Sequence, residues 1–478
     1  MEFHAVILCG SGKALSPFSQ VRSTGMPKAL LPIANRPMID YVLEWCEKAF
    51  FPKVTVVCDP DTSEQVQRVL DEYKSEKSKR EKAKEDADGD DDGGSFSRSV
   101  EILALDSSSS GEVLYHLYKT AALKSSPHFV ILPCDIITNL PPQVLIEEYR
   151  NRQESDLGML VYYRNQLDIE DKKSKIFPKN YTVYSDLASG QCQLLDIYSK
   201  EDIDFHKTLQ IRTQMCWKYP NSTISTKLLN SSIFFGSVDQ IFSVFDQEEK
   251  CTESYFHNRS ITKVIRDLSR RSWKHSEPKD TVGFCILPDQ ATFLRVNNTP
   301  VLMEANRHFM KLQAIAKGQH QQQASHPKDK ASANIGIDCL IGENTSVDEK
   351  TNVKRTIVGS SCHIGKRVKL TGCLILNNTT IEDDVQLENC ILGNGVVIRS
   401  KLRLTNCNVE SSLEVAKGTH SKGDTLLCLS LEGIVEDDEE EFAVDSDESD
   451  SDGESGSDYS YDDYDDEYDD NSDGLFAH

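Results

Sequence analysis

From residue 341 to residue 415 aliphatic residues recur in steps of six, then five, so that the whole pattern returns at every seventeenth position. One column is Ile341, Val358, Ile375, Leu392 and Val409. A second is Val347, Ile364, Ile381, Ile398 and Val415, and a third is Val353, Leu370, Leu387 and Leu404. A repeat this short, with small and glycine neighbours, predicts a parallel β-helix over 334–425. Three short strands per coil would stack each column with a spacing of about 4.8 Å. Each coil buries its aliphatic row only against its neighbours, so the coils must fold together. A fourth column holds Thr356, Cys373, Cys390 and Cys407. Stacked cysteines raise the question of a metal, but the column brings no His or charged co-ligand. Small buried thiols are the simpler account, and no metal is expected.

Upstream the periodicity changes. Apolar strands at 3–9, 54–58, 100–105 and 129–132 alternate with helical stretches at 37–48, from 62 to 73, and at 111–123. Such alternation predicts an α/β domain, doubly wound and Rossmann-like, over 1–310. Ligands bind such sheets at the carboxyl ends of the strands, where residues 9–14 and 133–136 fall. LGMLVYY, CQLLDIYS and NSSIFFGS, within 157–305, read as strands of a substrate-side subdomain. The charged stretch 74–97 cannot bury a core face and reads as a disordered acidic insertion. Residues 311–333 read as a polar linker.

The net charge of −24 is concentrated in one place. Residues 436–478 hold 21 Asp and Glu and no Lys or Arg, which leaves −3 for the rest of the chain. A nearly neutral body excludes nucleic-acid binding by charge alone. The tail itself reads as disordered, with Ser449, Ser451, Ser455 and Ser460 each three residues before an acid, as an acidophilic kinase requires. Fourteen cysteines without a C-x-x-C pair suggest reduced thiols and a cytosolic, cytoplasmic location. No apolar run approaches 18 residues, and Glu2 stands where a signal peptide would carry positive charge, so no membrane association is expected.

The first strand runs into Leu8-Cys9-Gly10-Ser11-Gly12-Lys13-Ala14-Leu15, and Pro27-Lys28 follows. After the fourth strand comes Pro133-Cys134-Asp135. With the β-helix behind them, these segments resemble the sugar-1-phosphate nucleotidyltransferase family. There a glycine loop, L-A-G-G-x-G-T-R-L, holds nucleotide phosphates, a Pro-Lys lysine lies near them, and a Gly-Asp aspartate binds magnesium. The resemblance implies a nucleotide site at Gly10, Gly12, Lys13, Lys28 and Asp135, and a left-handed β-helix. It also shows damage. The loop is one residue short, Ala14 replaces the arginine, Cys134 replaces the glycine, and Ser260-Ile261-Thr262-Lys263 carries a lysine where some branches have a second metal-binding aspartate. The site is therefore expected to be vestigial, with no catalytic residues, no cofactor, and magnesium at Asp135 only if transfer chemistry survives.

Within that superfamily, MPKALLPIANRPMI, LPCDIIT, LMEANR (302–307) and VKRTIVGSSCHIGKRVKLTGC resemble the gamma-subunit family of translation initiation factor 2B, a guanine-nucleotide exchange factor. The resemblance implies a hetero-oligomer. Such a subunit pairs with an epsilon subunit, two pairs flank a core of alpha, beta and delta subunits, and translation initiation factor 2 is the substrate. Exchange activity resides in a helical domain of epsilon, so this chain is expected to support exchange rather than perform it. Two other readings stay open: an active sugar-1-phosphate nucleotidyltransferase, and a catalytically dead regulatory subunit of one.

Overall fold

A computed structural model describes residues 2–85, 99–167, 179–186, 190–274, 280–320 and 334–428. The N-terminal part is built on one ten-stranded sheet. Its strands, in chain order, are β1 (Phe3–Leu8), β2 (Lys53–Cys58), β3 (Ser99–Ala104), β4 (His128–Pro133), β5 (Asp156–Arg164), β6 (Asn180–Asp186), β7 (Cys192–Ser199), β8 (Ser222–Ser225), β9 (Leu228–Ser237) and β10 (Thr281–Ile286). They lie in the order β8-β6-β7-β10-β5-β9-β4-β1-β2-β3. The β4-β1-β2-β3 half is parallel, as the strand–helix alternation predicts. The other half is mixed. β9 inserts antiparallel between β4 and β5, and the strands read as a separate subdomain extend this same sheet. Apolar clusters cover both faces. Trp45, Leu145 and Tyr149 lie on one, and Leu117, Phe242 and Val264 on the other.

Two expectations need correction. The helix after β2 does not stop near residue 73 but runs over Pro60–Glu85. Lys, Glu and Arg cannot supply a core face, yet they extend an existing helix well, and Lys77 pins this one through a 2.7 Å ion pair to Glu47. The helix Thr299–His320 likewise covers the first part of the expected linker. Residues 86–98, 321–333 and the whole acidic tail 436–478, with Ser449, Ser451, Ser455 and Ser460, lie outside the described residues.

The C-terminal part is a parallel β-helix of three narrow sheets, with the period of the sequence visible as strand register. Ile341 pairs with Val358, Val358 with Ile375, Ile375 with Leu392 and Leu392 with Val409. The other two columns pair in the same way. Corners between strands keep that period, all with positive φ: Asn344, Ser361, Asn378, Gly395 and Ser412 form one row. Lys350, Arg367, Asp384, Lys401 and Gly418 form another. A left-handed residue at each corner turns the chain onto the next face, and Asn, Asp and Gly tolerate it best. In the fourth column each thiol donates to the carbonyl two residues earlier: Cys373 to Thr371, Cys390 to Glu388 and Cys407 to Thr405, at 3.3–3.5 Å.

Leu387 is 1% exposed in the middle of its column. Leu387→Ala is expected to cost about 2–5 kcal/mol in equilibrium denaturation, because flanking coils cannot collapse into the gap. Its exposed neighbour Gln386 is the control, and Gln386→Ala should stay within about 0.5 kcal/mol. Equal effects at both positions would contradict a column core.

Candidate functional site

The segments expected to hold a nucleotide do converge at the carboxyl ends of β1 and β4. Leu8 pairs with Pro133, and the Cys134 amide donates to the Leu8 carbonyl. Cys134 is buried. Its thiol hydrogen-bonds Cys9, and that contact together with burial pushes the Cys9 thiol well above its ordinary range. Two thiols thus occupy the position where a glycine would leave backbone open to a ligand. Gly12 takes a left-handed φ of 74° and packs on Lys28, where an added Cβ would sit 3.1 Å from the Lys28 Cβ. Gly10 is half-buried, and Lys13 points to solvent at the start of a short 3-10 turn.

Lys28 and Asp135 meet directly. Lys28 Nζ lies 2.9 Å from Asp135 Oδ2, with 2% and 0% of the side chains exposed. A third residue completes the group: Arg295 Nε is 3.5 Å from Asp135 Oδ1, also buried. Arg295 comes from the strand Phe293–Arg295, which pairs antiparallel with Ile136–Thr138 just after Asp135. The Val296 amide donates to the Asp135 carbonyl at 2.8 Å. One carboxylate therefore lies between two cations. A magnesium ion on Asp135 would have to sit beside both cations, and Coulomb repulsion in a buried setting opposes that. The residues present do not fit the metal. Thr262, in the stretch compared with a second metal motif, accepts a hydrogen bond from Asn230 at 3.1 Å at the start of the helix Ile261–Lys274. Among the described residues no group of three or more His, Cys, Asp or Glu clusters as metal ligands.

The family-like motifs have a second role, at the joint between sheet and β-helix. In the stretch 26–39, Leu31, Ile33 and Met38 share one apolar cluster with Leu302 and Ala305 from the LMEANR stretch. The same cluster takes Ile357, Leu374 and Ile391 from the β-helix. Polar groups lock the joint. Asn306 accepts from the Ala34 amide at 2.9 Å, Asn35 donates to the Val358 carbonyl at 2.9 Å, and Arg307 reaches Asn389 at 3.2 Å. At the end of the joint formed by the last coils, Glu410 accepts from Arg22 Nε at 2.8 Å, from Thr24 at 2.7 Å and from the Cys428 amide. Gly25 lets this loop close, since a Cβ there would lie 1.7 Å from the Ser19 carbonyl. Arg295, Arg22 and Glu410 escaped the sequence reading. Ile357, Leu374 and Ile391 did leave a signal: they recur once per coil beside the inward column, which marks a second, outward apolar row.

A nucleotidyl transferase family model matches residues 4–168. A model described as the EIF2B subunit epsilon LbH domain matches residues 320–420. The chain is 26% identical over 376 residues to translation initiation factor eIF2B subunit gamma of Schizosaccharomyces pombe, covering 74% of each chain. It is 24% identical over 431 residues to the subunit of the same name from Dictyostelium discoideum, covering 76% of this chain and 88% of that one.

Proposed function

We propose that this chain, which belongs to the gamma-subunit family of translation initiation factor 2B, is a non-catalytic scaffold subunit of that guanine-nucleotide exchange factor. It pairs with an epsilon subunit through the nucleotidyltransferase-like sheet and the β-helix. Two such pairs flank the alpha, beta and delta subunits, and the assembly acts in the cytosol on translation initiation factor 2. The Lys28–Asp135–Arg295 cluster carries the non-catalytic part of this reading. The lysine that would hold phosphate and the aspartate that would hold magnesium neutralise each other instead. The locked joint supports the scaffold part, because a rigid surface positions partners without ordering costs at the moment of binding. No helix among the described residues is long and apolar enough to cross a membrane.

Native pull-down of the tagged chain from its own cells tests the reading. The expected result is one large assembly containing the other exchange-factor subunits. The purified chain should release no pyrophosphate from nucleoside triphosphates across a panel of sugar 1-phosphates. Recovery as a self-sufficient homo-oligomer, or turnover that Asp135→Ala abolishes, would restore the transferase reading.

A further inference from the structure

At the β8 edge of the sheet, seven strands from β1, the surface has a different character. Residues 200–227 hold Lys200, Lys207, Arg212, Lys218 and Lys227, and their three acids, Glu201, Asp202 and Asp204, all lie on the helix Lys200–His206, with none beyond it. They include the helix Thr213–Lys218 and the edge strand β8. Met215 anchors the helix, buried in a small cluster with Leu195 and Trp273. The stretch also exposes large apolar side chains: Trp217 on this helix is 79% exposed, Phe205 on the preceding helix 82%, and Ile211 and Ile224 are exposed as well. Four of the ten large hydrophobic residues exposed among the described residues fall in this one stretch, which marks an interaction surface rather than scatter.

The same face carries surplus positive charge. The helix Ile261–Lys274 packs against Thr213–Lys218 and holds five Lys or Arg to a single acid, Asp267. Arg266 pairs with Asp267, Arg270 with Asp196, and Arg271 with Glu248 and Asp280. Among the described residues Arg212 and Lys274 form no ion pair. Burial lowers the Lys274 pKa, and the neighbouring charges of Arg270 and Arg212 lower it further. Exposed rings beside crowded cations fit a ligand that offers both carboxylates and rings.

This chain contains such a ligand. Residues 445–470, DSDESDSDGESGSDYSYDDYDDEYDD, hold 14 Asp and Glu, four tyrosines and no Lys or Arg. The last described residue, Cys428, sits against Glu410 and Arg22 at the joint. Seven strand spacings of about 4.8 Å place the β8 edge roughly 34 Å across the sheet from β1. The 30 residues between Cys428 and Tyr459 have a root-mean-square reach of about 30 Å as flexible chain, and a far longer contour.

We propose that this edge face is the docking site of the chain's own acidic, tyrosine-rich segment 445–470. Its carboxylates lie against Arg212 and Lys274, and its tyrosine rings lie against Trp217 and Phe205. Tethering supplies an effective concentration of about 1 mM. A contact too weak to hold a free peptide, with a Kd of about 0.1 mM, is then docked roughly ten times as often as not. Phosphate on Ser449, Ser451, Ser455 or Ser460 would add charge to the segment and tighten it.

Trp217 reports the contact directly, because the other two tryptophans, Trp45 and Trp273, are buried. The experiment is acrylamide quenching of tryptophan emission in the full chain at low ionic strength. The expected result is a Trp217 shielded from quencher, and exposed several-fold more when salt is raised to about 0.5 M, where charge pairs are screened. Arg212→Glu with Lys274→Glu should expose it at low salt. So should the combined Tyr459→Ser, Tyr461→Ser, Tyr464→Ser and Tyr468→Ser variant, which leaves every described residue untouched. Quenching that is strong at low salt and indifferent to all three changes overturns the proposal. Shielding that deepens with protein concentration as the mass doubles also overturns it, since the occupant would then be the tail of a second copy.

Discussion

Glu410→Met is expected to destabilise the chain by about 3–5 kcal/mol, and Arg22→Met by a similar amount, whereas the double variant should recover most of the loss. Both side chains are nearly fully buried, 2.8 Å apart, with 4% and 2% exposed. Removing one partner leaves a charge in the joint without its counter-ion, and that is the expensive state. Removing both replaces the pair by apolar groups of similar volume inside a joint already lined with Met38, Leu302 and Ile391, which is often neutral. Thr24 also donates to Glu410, so the recovery is expected to be incomplete. Denaturant titration of the four proteins gives the coupling energy. Single losses below about 1 kcal/mol would mean that the ion pair is incidental and that apolar packing alone holds the two parts together.

Asp135→Ala is expected to cost more stability than Lys28→Met, and this order separates a structural cluster from a working site. Without Asp135 two buried cations both lose the carboxylate they share, a loss of about 3–5 kcal/mol. Without Lys28 the aspartate keeps Arg295, so one charge still answers one charge. In a site shaped for transfer chemistry the outcome should invert. There a carboxylate held ready for a metal is strained in the free protein, and removing it leaves stability unchanged or raises it. Thermal unfolding of the two purified variants measures the order. A more stable Asp135→Ala protein would be inconsistent with the cluster as a closed, structural unit.

The parts of the fold legible in advance are those encoded by neighbours in sequence. The aliphatic columns could be read because each coil brings a residue against its counterpart one period later with no help from the rest of the chain, and Val358, Ile375 and Leu392 sit as that rule requires. The parallel half of the sheet was readable from strand–helix alternation. The antiparallel insertion of β9 was not, because an apolar strand buried on both faces looks the same in either direction. The site shows the same division. Lys28 and Asp135 stood out as residue types in motifs, and the structure brings them together. That a second cation closes the other side of Asp135 depends on Arg295, which arrives from far downstream, in a stretch with no motif of its own.

Sequence alone determined the β-helix, its register and its core, since a short period repeated over several coils leaves one way to bury every aliphatic row. It also determined that the glycine loop and the Asp135 motif lie at the carboxyl ends of parallel strands. Tertiary structure decided what those residues do. Arg22 and Glu410 are 388 positions apart, and nothing local to either announces the other. Periodicity records which face of an element is buried; it carries no information on which buried charge will meet which, because that is set only when separate elements pack and water leaves the space between them.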